Sequence, residues 1–118
     1  MIKGRVNWFK YMDLSQKKCV PCEVKIPPLA GPAVARHAAW LKTPWEVIDN
    51  KKIQRQFKFK DFKEAVQFVN KVAGLAEREG HHPDIHVLYN KVVIELETHF
   101  IGGLSENDFI MAAKMENL

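Results

Sequence analysis

The chain has 118 residues, 47% of them hydrophobic and 27% charged, and its formal net charge at pH 7 is +4. A chain of this length and apolar content can bury the core of one domain. No apolar run is long enough to cross a membrane and no clear signal peptide is visible, so we expect no membrane association and a cytoplasmic location, with mitochondria or plastids as alternatives. The mild positive charge is typical of a solvated face, and we expect no direct binding to nucleic acid.

Residues 1–28 are predicted to form a poorly structured N-terminal arm, followed by one domain over residues 29–118. Prolines interrupt the arm, and no apolar period in it lasts long enough for a helix or a strand. Cys19 and Cys22 in the arm could form half of a zinc site or a dithiol. Because a zinc site usually has four ligands and the sequence has no second cysteine pair, we expect no metal there, although histidines could in principle supply further ligands.

A short helix is predicted over residues 30–41. Residues 45–49 and 52–59 then favour two strands joined around Asn50, since apolar and polar residues alternate along the second of them. These segments predict a first β-hairpin after the helix.

The clearest helix in the chain begins after Asp61. Asp61 and Glu64 form an aspartate variant of the capping box, which marks a helix N-terminus. Phe68 and Leu75 indicate a second buried contact, off the main apolar stripe. That stripe is expected to lie on the apolar face of the sheet and has seven members at helical spacing: Phe62, Ala65, Val66, Val69, Val72, Ala73 and Ala76.

A second hairpin is predicted over residues 84–89 and 92–99, joined at Asn90 and Lys91. With a loop of those two residues, one face of the hairpin is almost wholly apolar, and a slip by one residue would mix the two faces. This register predicts that His99 lies directly opposite His82. Side chains in such a pair have Cβ atoms roughly 4.5–5.5 Å apart, close enough for both imidazoles to act on one small molecule.

The histidines next to Gly80 are released from the preceding helix by their neighbours. Gly80 suits the left-handed residue that ends a helix, and Pro83 pushes His82 into an extended conformation. His81 and His82 therefore lie at a helix C-terminus, where the macrodipole favours imidazolium by about 0.3–1 kcal/mol. A group that exchanges protons near neutral pH suits general acid–base chemistry.

The last predicted helix opens at Ser105, after a turn at Gly102 and Gly103. Ser105 and Asp108 form a capping box, which gives Asp108 a sufficient structural role beside a functional one as an electrostatic partner. The helix is apolar on more than one side, and this predicts that residues 110–115 contact another subunit. We therefore expect a homo-oligomer, with a tetramer favoured over a dimer.

Several separated motifs lie within about residues 40–118. The principal motif is Glu77-x3-His81-His82-Pro83-x5-Tyr89-x9-His99-x8-Asp108, and the flanking ones are Phe57-x-Phe59-Lys60-Asp61-Phe62 and Gly103-Leu104-Ser105-x2-Asp108. Together they resemble the pterin-4a-carbinolamine dehydratase family. The arm, with Lys17-Lys18-Cys19-Val20-Pro21-Cys22, resembles the branch of this family found in plants and some microbes.

The resemblance implies an α+β fold, with a four-stranded antiparallel sheet and three helices packed on one face. It implies dehydration of 4a-hydroxytetrahydropterin to quinonoid dihydropterin, in tetrahydropterin recycling. The partner is then a small-molecule pterin substrate, no cofactor is required, and the assembly is a homodimer or homotetramer. The implied catalytic set is His81, His82 and His99, with Glu77, Pro83, Thr98 and Asp108 in substrate binding and no metal.

Two alternatives use the same fold. One is a transcription coactivator or dimerisation module, which would keep its partner after the histidines were replaced. The other is a protein that binds a pterin without turnover. Trp45 and Tyr89 are weaker candidates for contact with a planar ring, because aromatic side chains are more often part of a core.

Overall fold

Four antiparallel strands form one sheet in the order β1-β2-β4-β3. The computed structural model describes residues 13–21 and 26–118, and the strands are β1 (Glu46–Ile48), β2 (Lys52–Lys58), β3 (Asp84–Leu88) and β4 (Lys91–Leu96). Within these residues lie three α-helices: α1 (Gly31–Ala39), α2 (Phe62–Glu79) and α3 (Glu106–Met115). The predicted α+β fold is confirmed.

One face of the sheet carries the hydrophobic core. Ile53 on β2 and Val92, Ile94 and Leu96 on β4 are 0% exposed, whereas the residues between them on β4 are only half-buried. Because successive side chains of a strand point to opposite faces, the buried set lies on a single face. The helices supply the apolar side chains that cover it.

The first hairpin has a turn one residue longer than predicted. Ile48 pairs with Lys52, which leaves residues 49–51 as the loop. Asp49 and Asn50 have positive φ angles of 54° and 55°. Both are among the residue types that tolerate the left-handed conformation, so the local sequence suits this turn.

Helix α2 begins and ends as predicted, and three of the seven residues of its predicted stripe are buried. Asp61 caps it by accepting a hydrogen bond from the Glu64 N–H at 2.9 Å, and Gly80 ends it with a φ of 67°. Phe62, in the predicted stripe, is 52% exposed. The buried positions are Ala65, Phe68, Val72, Leu75 and Ala76.

Two aromatic side chains, one on β2 and one just after it, explain the rotation of α2. The Phe68 ring packs against Phe57 and Phe59, with ring centroids 4.6 Å and 5.0 Å apart. Burying a large ring against two others stabilises the helix more than burying the smaller Val69 or Ala73 would. Phe68 and Leu75, predicted to make a secondary contact, are therefore part of the main core.

The register of the second hairpin differs from the prediction by two residues. Val87 pairs with Val92 and Leu88 with Lys91, so the loop is Tyr89 and Asn90. A shift of two keeps every side chain on its predicted face. It removes His99 from the position opposite His82, and that predicted pairing is wrong.

A contact with the neighbouring strand explains the earlier turn. Asn90 is bound to Phe59 twice: its carbonyl accepts from the Phe59 N–H at 2.8 Å, and its side chain donates to the Phe59 carbonyl at 3.1 Å. These bonds hold Asn90 at the second loop position, and Tyr89 takes the left-handed conformation with a φ of 56°. Tyr89 is 67% exposed.

Helix α3 opens as predicted but is buried on every side. Asp108 accepts a hydrogen bond from the Ser105 N–H at 3.0 Å, which confirms the capping interaction. Residues 109–113 and Met115 are at most 7% exposed, so the predicted subunit contact at residues 110–115 is wrong. The arm is the cause, because Leu14, 2% exposed, packs on α3 from a 3-10 turn (Leu14–Gln16), while other elements cover the remaining sides.

None of the helices in residues 13–21 and 26–118 has the length and apolar character needed to span a bilayer. Cys22 lies outside the described residues, and so do residues 1–12 of the predicted arm. The boundary at residue 28 stays a prediction.

Candidate active site

His81 is the buried histidine of the site. The Gly80 and His81 N–H groups both donate to the Ala76 carbonyl, which closes α2 and turns the next side chain inward. His81 is 7% exposed, and its Nε2 lies 2.6 Å from Asp108 Oδ1. Because a carboxylate only accepts, His81 donates from Nε2, and in the neutral ring Nδ1 carries the lone pair.

Asp108 connects His81 to two hydroxyl groups. It is 0% exposed, and its Oδ2 accepts from the Thr98 hydroxyl at 2.9 Å and from the Ser105 N–H at 3.0 Å. The Thr98 and Ser105 hydroxyl oxygens are 2.7 Å apart. Since Thr98 gives its one hydroxyl proton to Asp108, Ser105 is the donor to Thr98. A fully buried carboxylate thus has hydrogen-bond partners on both oxygens.

His82, the next residue, faces solvent. Its side chain is 61% exposed, and its Nε2 lies 2.5 Å from Glu77 Oε2 on the last turns of α2, itself 76% exposed. Pro83, half-buried, follows His82 and disfavours the helical conformation for it, so the chain leaves the helix here. The exposed His82 imidazole has a carboxylate partner and direct access to water.

His99 lies at the start of a 3-10 turn (His99–Ile101), beyond the end of β4. Its side chain is 71% exposed, and its Nδ1 lies 3.8 Å from Glu97 Oε1. Potential ligand atoms of Asp84, Glu97 and His99 all lie within 4.8 Å of one another. These three side chains could hold a metal ion, although exposed groups of this kind are common without one.

The predicted site residues therefore form three groups. Asp108 and Thr98 join His81 in the buried network, Glu77 joins His82, and His99 pairs with Glu97. Thr98 connects the buried network to the His99 group, because it is 3% exposed and directly precedes His99. A bridge between Thr98 and Gly103 closes the intervening turn, with the Thr98 N–H donating to the Gly103 carbonyl at 2.9 Å.

Neither weaker aromatic candidate lies within these groups of contacts. Trp45 is 6% exposed and packs edge-on against Phe57 at 6.0 Å, and its Nε1 is a buried donor without a partner among the described residues. Tyr89 lies at the turn of the second hairpin. Sequence reasoning missed Ser105 as a member of the buried network, because its capping role already explained it.

The arm borders the site at Cys19. The Cys19 N–H donates to Glu79 Oε1 at 2.9 Å, and Lys114 Nζ lies 3.8 Å from Glu79 Oε2. Burial acts to raise the pKa of Glu79, but the Cys19 N–H and the Lys114 ammonium outweigh it, and the pKa lies below its ordinary value. Burial, reinforced by the Glu79 carboxylate, raises the pKa of the Cys19 thiol to about 12. A thiol in this environment is a poor nucleophile.

Comparison with known proteins places the chain in a family. The family model described as pterin 4 alpha carbinolamine dehydratase matches residues 27–118. The chain belongs to the pterin-4a-carbinolamine dehydratase family. The resemblance noted in the sequence is therefore confirmed.

Bacterial relatives of the family extend the match. A protein from Alkaliphilus metalliredigens, provisionally named pterin-4-alpha-carbinolamine dehydratase, is 47% identical over 88% of this chain and 94% of its own length. A similarly named protein from Rubrobacter xylanophilus is 45% identical over 90% of this chain and 98% of its own. Both matches are longer than the family model and must take in part of the segment before residue 27.

A solved structure of the family is similar in fold. The transcriptional coactivator/pterin dehydratase from Brucella melitensis superposes with a TM-score of 0.71 at 36% identity. The match covers 96% of that chain but 76% of this one. About a quarter of this pterin-4a-carbinolamine dehydratase family member thus has no counterpart there.

Proposed function

We propose that the chain dehydrates 4a-hydroxytetrahydropterin to quinonoid dihydropterin and water by histidine general acid–base catalysis, and that it acts in tetrahydropterin recycling. Family membership supports the reaction class. The observation that carries the mechanism is the contrast between adjacent histidines: His81 is buried on Asp108, and His82 is exposed on Glu77. Two imidazoles in such different environments suit the two proton transfers of a dehydration.

The reaction needs one acid and one base. The hydroxyl oxygen of the carbinolamine takes up a proton and leaves as water, which breaks the carbon–oxygen bond. A base removes the proton of the adjacent ring nitrogen, whose electron pair forms the carbon–nitrogen double bond. Histidine can perform both transfers near neutral pH, and neither transfer calls for a metal or a redox cofactor.

The remaining candidate residues act around the three histidines. Asp108 is fully buried, so in this proposal it acts through His81, and Thr98 orients Asp108. Glu77 polarises His82, and Pro83 holds the chain away from α2 so that the exposed imidazole can meet the substrate. His99 completes the set from the turn that follows Thr98.

The decisive experiment is a stopped assay with chemically generated 4a-hydroxytetrahydropterin. The expected result is a dehydration rate above the uncatalysed rate, proportional to protein concentration. A rate equal to the background at micromolar protein would overturn the proposal. If the same preparation bound a dihydropterin that resembles the product, the result would favour a pterin-binding protein without turnover.

A partner-binding role is the second candidate function. It is favoured by the description of the Brucella protein as a transcriptional coactivator as well as a pterin dehydratase. Such a role would use the outer surface and not the histidines. Replacement of His82 and His99 together would abolish dehydration but leave partner binding intact.

We also propose a homo-oligomer, either a dimer or a tetramer. Its support now comes from edge strand β3 and the adjoining turn, where Val87, Leu88 and Tyr89 are 39%, 56% and 67% exposed. An apolar strand edge of this kind is a site for pairing with another chain. Light scattering at micromolar concentration tests it, and a monomeric mass would remove the proposal.

A further inference from the structure

A small cavity lies between the arm and the start of α3. Its volume is about 110 Å³. Part of its wall comes from the arm, namely Lys18, Val20, Pro21 and Ile26. The opposite wall belongs to the domain and includes Thr98, Ile101, Ser105 and Ile110.

The arm wall is held in place by specific hydrogen bonds. Asn107, 3% exposed, accepts from the Val20 N–H at 3.0 Å and donates to the Val20 carbonyl at 2.7 Å. The neighbouring Cys19 N–H is bound by Glu79. Farther back, Lys114 Nζ donates to the Ser15 carbonyl at 2.9 Å. Bonds to main-chain groups fix the path of the arm whatever side chains it carries.

The cavity shares two side chains with the candidate active site. Thr98 and Ser105 line it, and both hydroxyls belong to the chain of hydrogen bonds that reaches His81 through Asp108. His99 directly follows Thr98.

The cavity volume decides which part of a ligand it can hold. An apolar cavity of about 150 Å³ binds one benzene molecule. A space of about 110 Å³ is therefore too small for the two fused rings of a pterin but large enough for a substituent of about four or five heavy atoms. Its walls combine the apolar side chains of Val20, Ile101 and Ile110 with polar groups, which suits a short, hydroxylated chain. The polar groups are the Thr98 and Ser105 hydroxyls, the Asn107 amide and the charged ends of Lys18 and Glu106.

We infer that the cavity is the subsite for the substituent of the reduced pterin ring, and that the arm makes the enzyme selective for a short hydroxyalkyl substituent. The inference rests on the proposed dehydratase function. Every arm residue of the wall precedes residue 27, where the match to the family model begins. Selectivity of this kind is a property of the arm and not of the histidines.

The test compares two 4a-hydroxytetrahydropterins that differ only in the substituent, one methyl and one dihydroxypropyl, with the full-length chain. The quantity measured is the ratio of kcat/KM for the dihydroxypropyl substrate to that for the methyl substrate. Asn107→Ala removes the hydrogen bonds that hold the arm. Val20→Phe narrows the cavity with a larger side chain. Because Val20 is 67% exposed, this second variant should change the stability of the fold little. Each should lower the ratio about 5–10-fold, the effect of losing one or two contacts.

Lys52→Ala is the matched control. It removes the ion pair with Glu95, 3.5 Å long, and neither residue lines the cavity, so the ratio should stay at the parental value. Variants that lower both kcat/KM values equally, or change neither, overturn the subsite and leave the dehydratase function standing. Absence of turnover with both substrates in the parent protein would instead overturn the proposed function, and the subsite with it.

Discussion

The adjacent histidines at the end of α2 have opposite surroundings, although they share a residue type and differ by one position. His81 is 7% exposed and has one fixed partner in Asp108, whereas the side chain of His82 is 61% exposed and has a partner that is itself in solvent. A buried imidazole is held in one tautomer, and an exposed one exchanges protons freely with water. The surroundings of His81 therefore fix the orientation of its ring, whereas those of His82 allow proton exchange with water. Substitutions at the two positions, or at their partners, test these roles separately.

The largest expected effect comes from Asp108→Asn. The amide oxygen can still accept from Thr98 and Ser105, but the NH2 group then faces His81 Nε2 and can only donate. His81 must give up its Nε2 proton, so its tautomer is reversed. We expect kcat to fall by on the order of 10²–10⁴-fold, with the fold retained.

Thr98→Ser is the matched control for the buried network, because it keeps the hydroxyl that donates to Asp108. Its kcat should stay within a few-fold of the parent. Parental kcat in Asp108→Asn, with an unchanged circular dichroism spectrum, would show that the orientation of His81 does not matter.

The second effect concerns the exposed histidines. His82→Ala and His99→Ala should each lower kcat by roughly 10²-fold, the contribution of one general acid or base. Their thermal midpoints should barely change, because both side chains are more than half exposed. His86→Ala is the control, since that side chain is 54% exposed on β3 and pairs with Glu95. If His82→Ala and His99→Ala both turn over at the parental rate, the catalytic set is wrong.

The same contrast explains how much of the site could be predicted. Helix ends depend on nearby residues, so the Asp61 cap, the Gly80 terminus and the Ser105 to Asp108 contact all followed from local sequence. The position of His99 depended on a register that Asn90 sets by binding Phe59, the residue after β2. Sequence spacing within the hairpin carries no information about that contact.

The buried side chains of a helix could be predicted only where they do not depend on contacts with other parts of the chain. The buried stripe of α2 was only partly predicted, because Phe68 packs on the rings of Phe57 and Phe59. The apolar surface of α3 suggested a subunit contact. In the structure Leu14 of the arm packs on this surface, and Lys114 of α3 holds the arm by a hydrogen bond to the Ser15 carbonyl. Such an arm has no apolar period of its own, and its contacts with α3 become visible only in three dimensions.

A third, smaller effect tests how firmly the arm is attached beside the site. Because the folded pKa of Glu79 is lowered, its stabilising contribution is present above its ordinary pKa of about 4.3 and is lost as pH falls through the folded value. Glu79→Gln should therefore lower the free energy of unfolding by about 1 kcal/mol at pH 7. Below pH of about 4 the difference from the parent should shrink toward zero.

Urea titrations of both proteins at pH 7 and pH 3.5 provide the measurement for Glu79. Glu64→Gln is the control, because that carboxylate is exposed and accepts from the Lys60 N–H at the far end of α2. A difference between the Glu79 variant and the parent that is the same at both pH values would mean that the charge of Glu79 does not hold the arm.

The last prediction is that removing metal ions leaves kcat unchanged, and it concerns the exposed residues around His99. Asp84, Glu97 and His99 are close enough to share a metal ion, and a bound metal would occupy the very imidazole that we assign to proton transfer. We therefore predict that exhaustive chelation leaves kcat unchanged, and that added zinc inhibits if it binds. Glu97→Gln should relieve such inhibition, because it removes a carboxylate from the group. Stoichiometric zinc in the purified protein, with activity lost on its removal and restored by its return, would replace the proposed acid–base mechanism with a metal-dependent one.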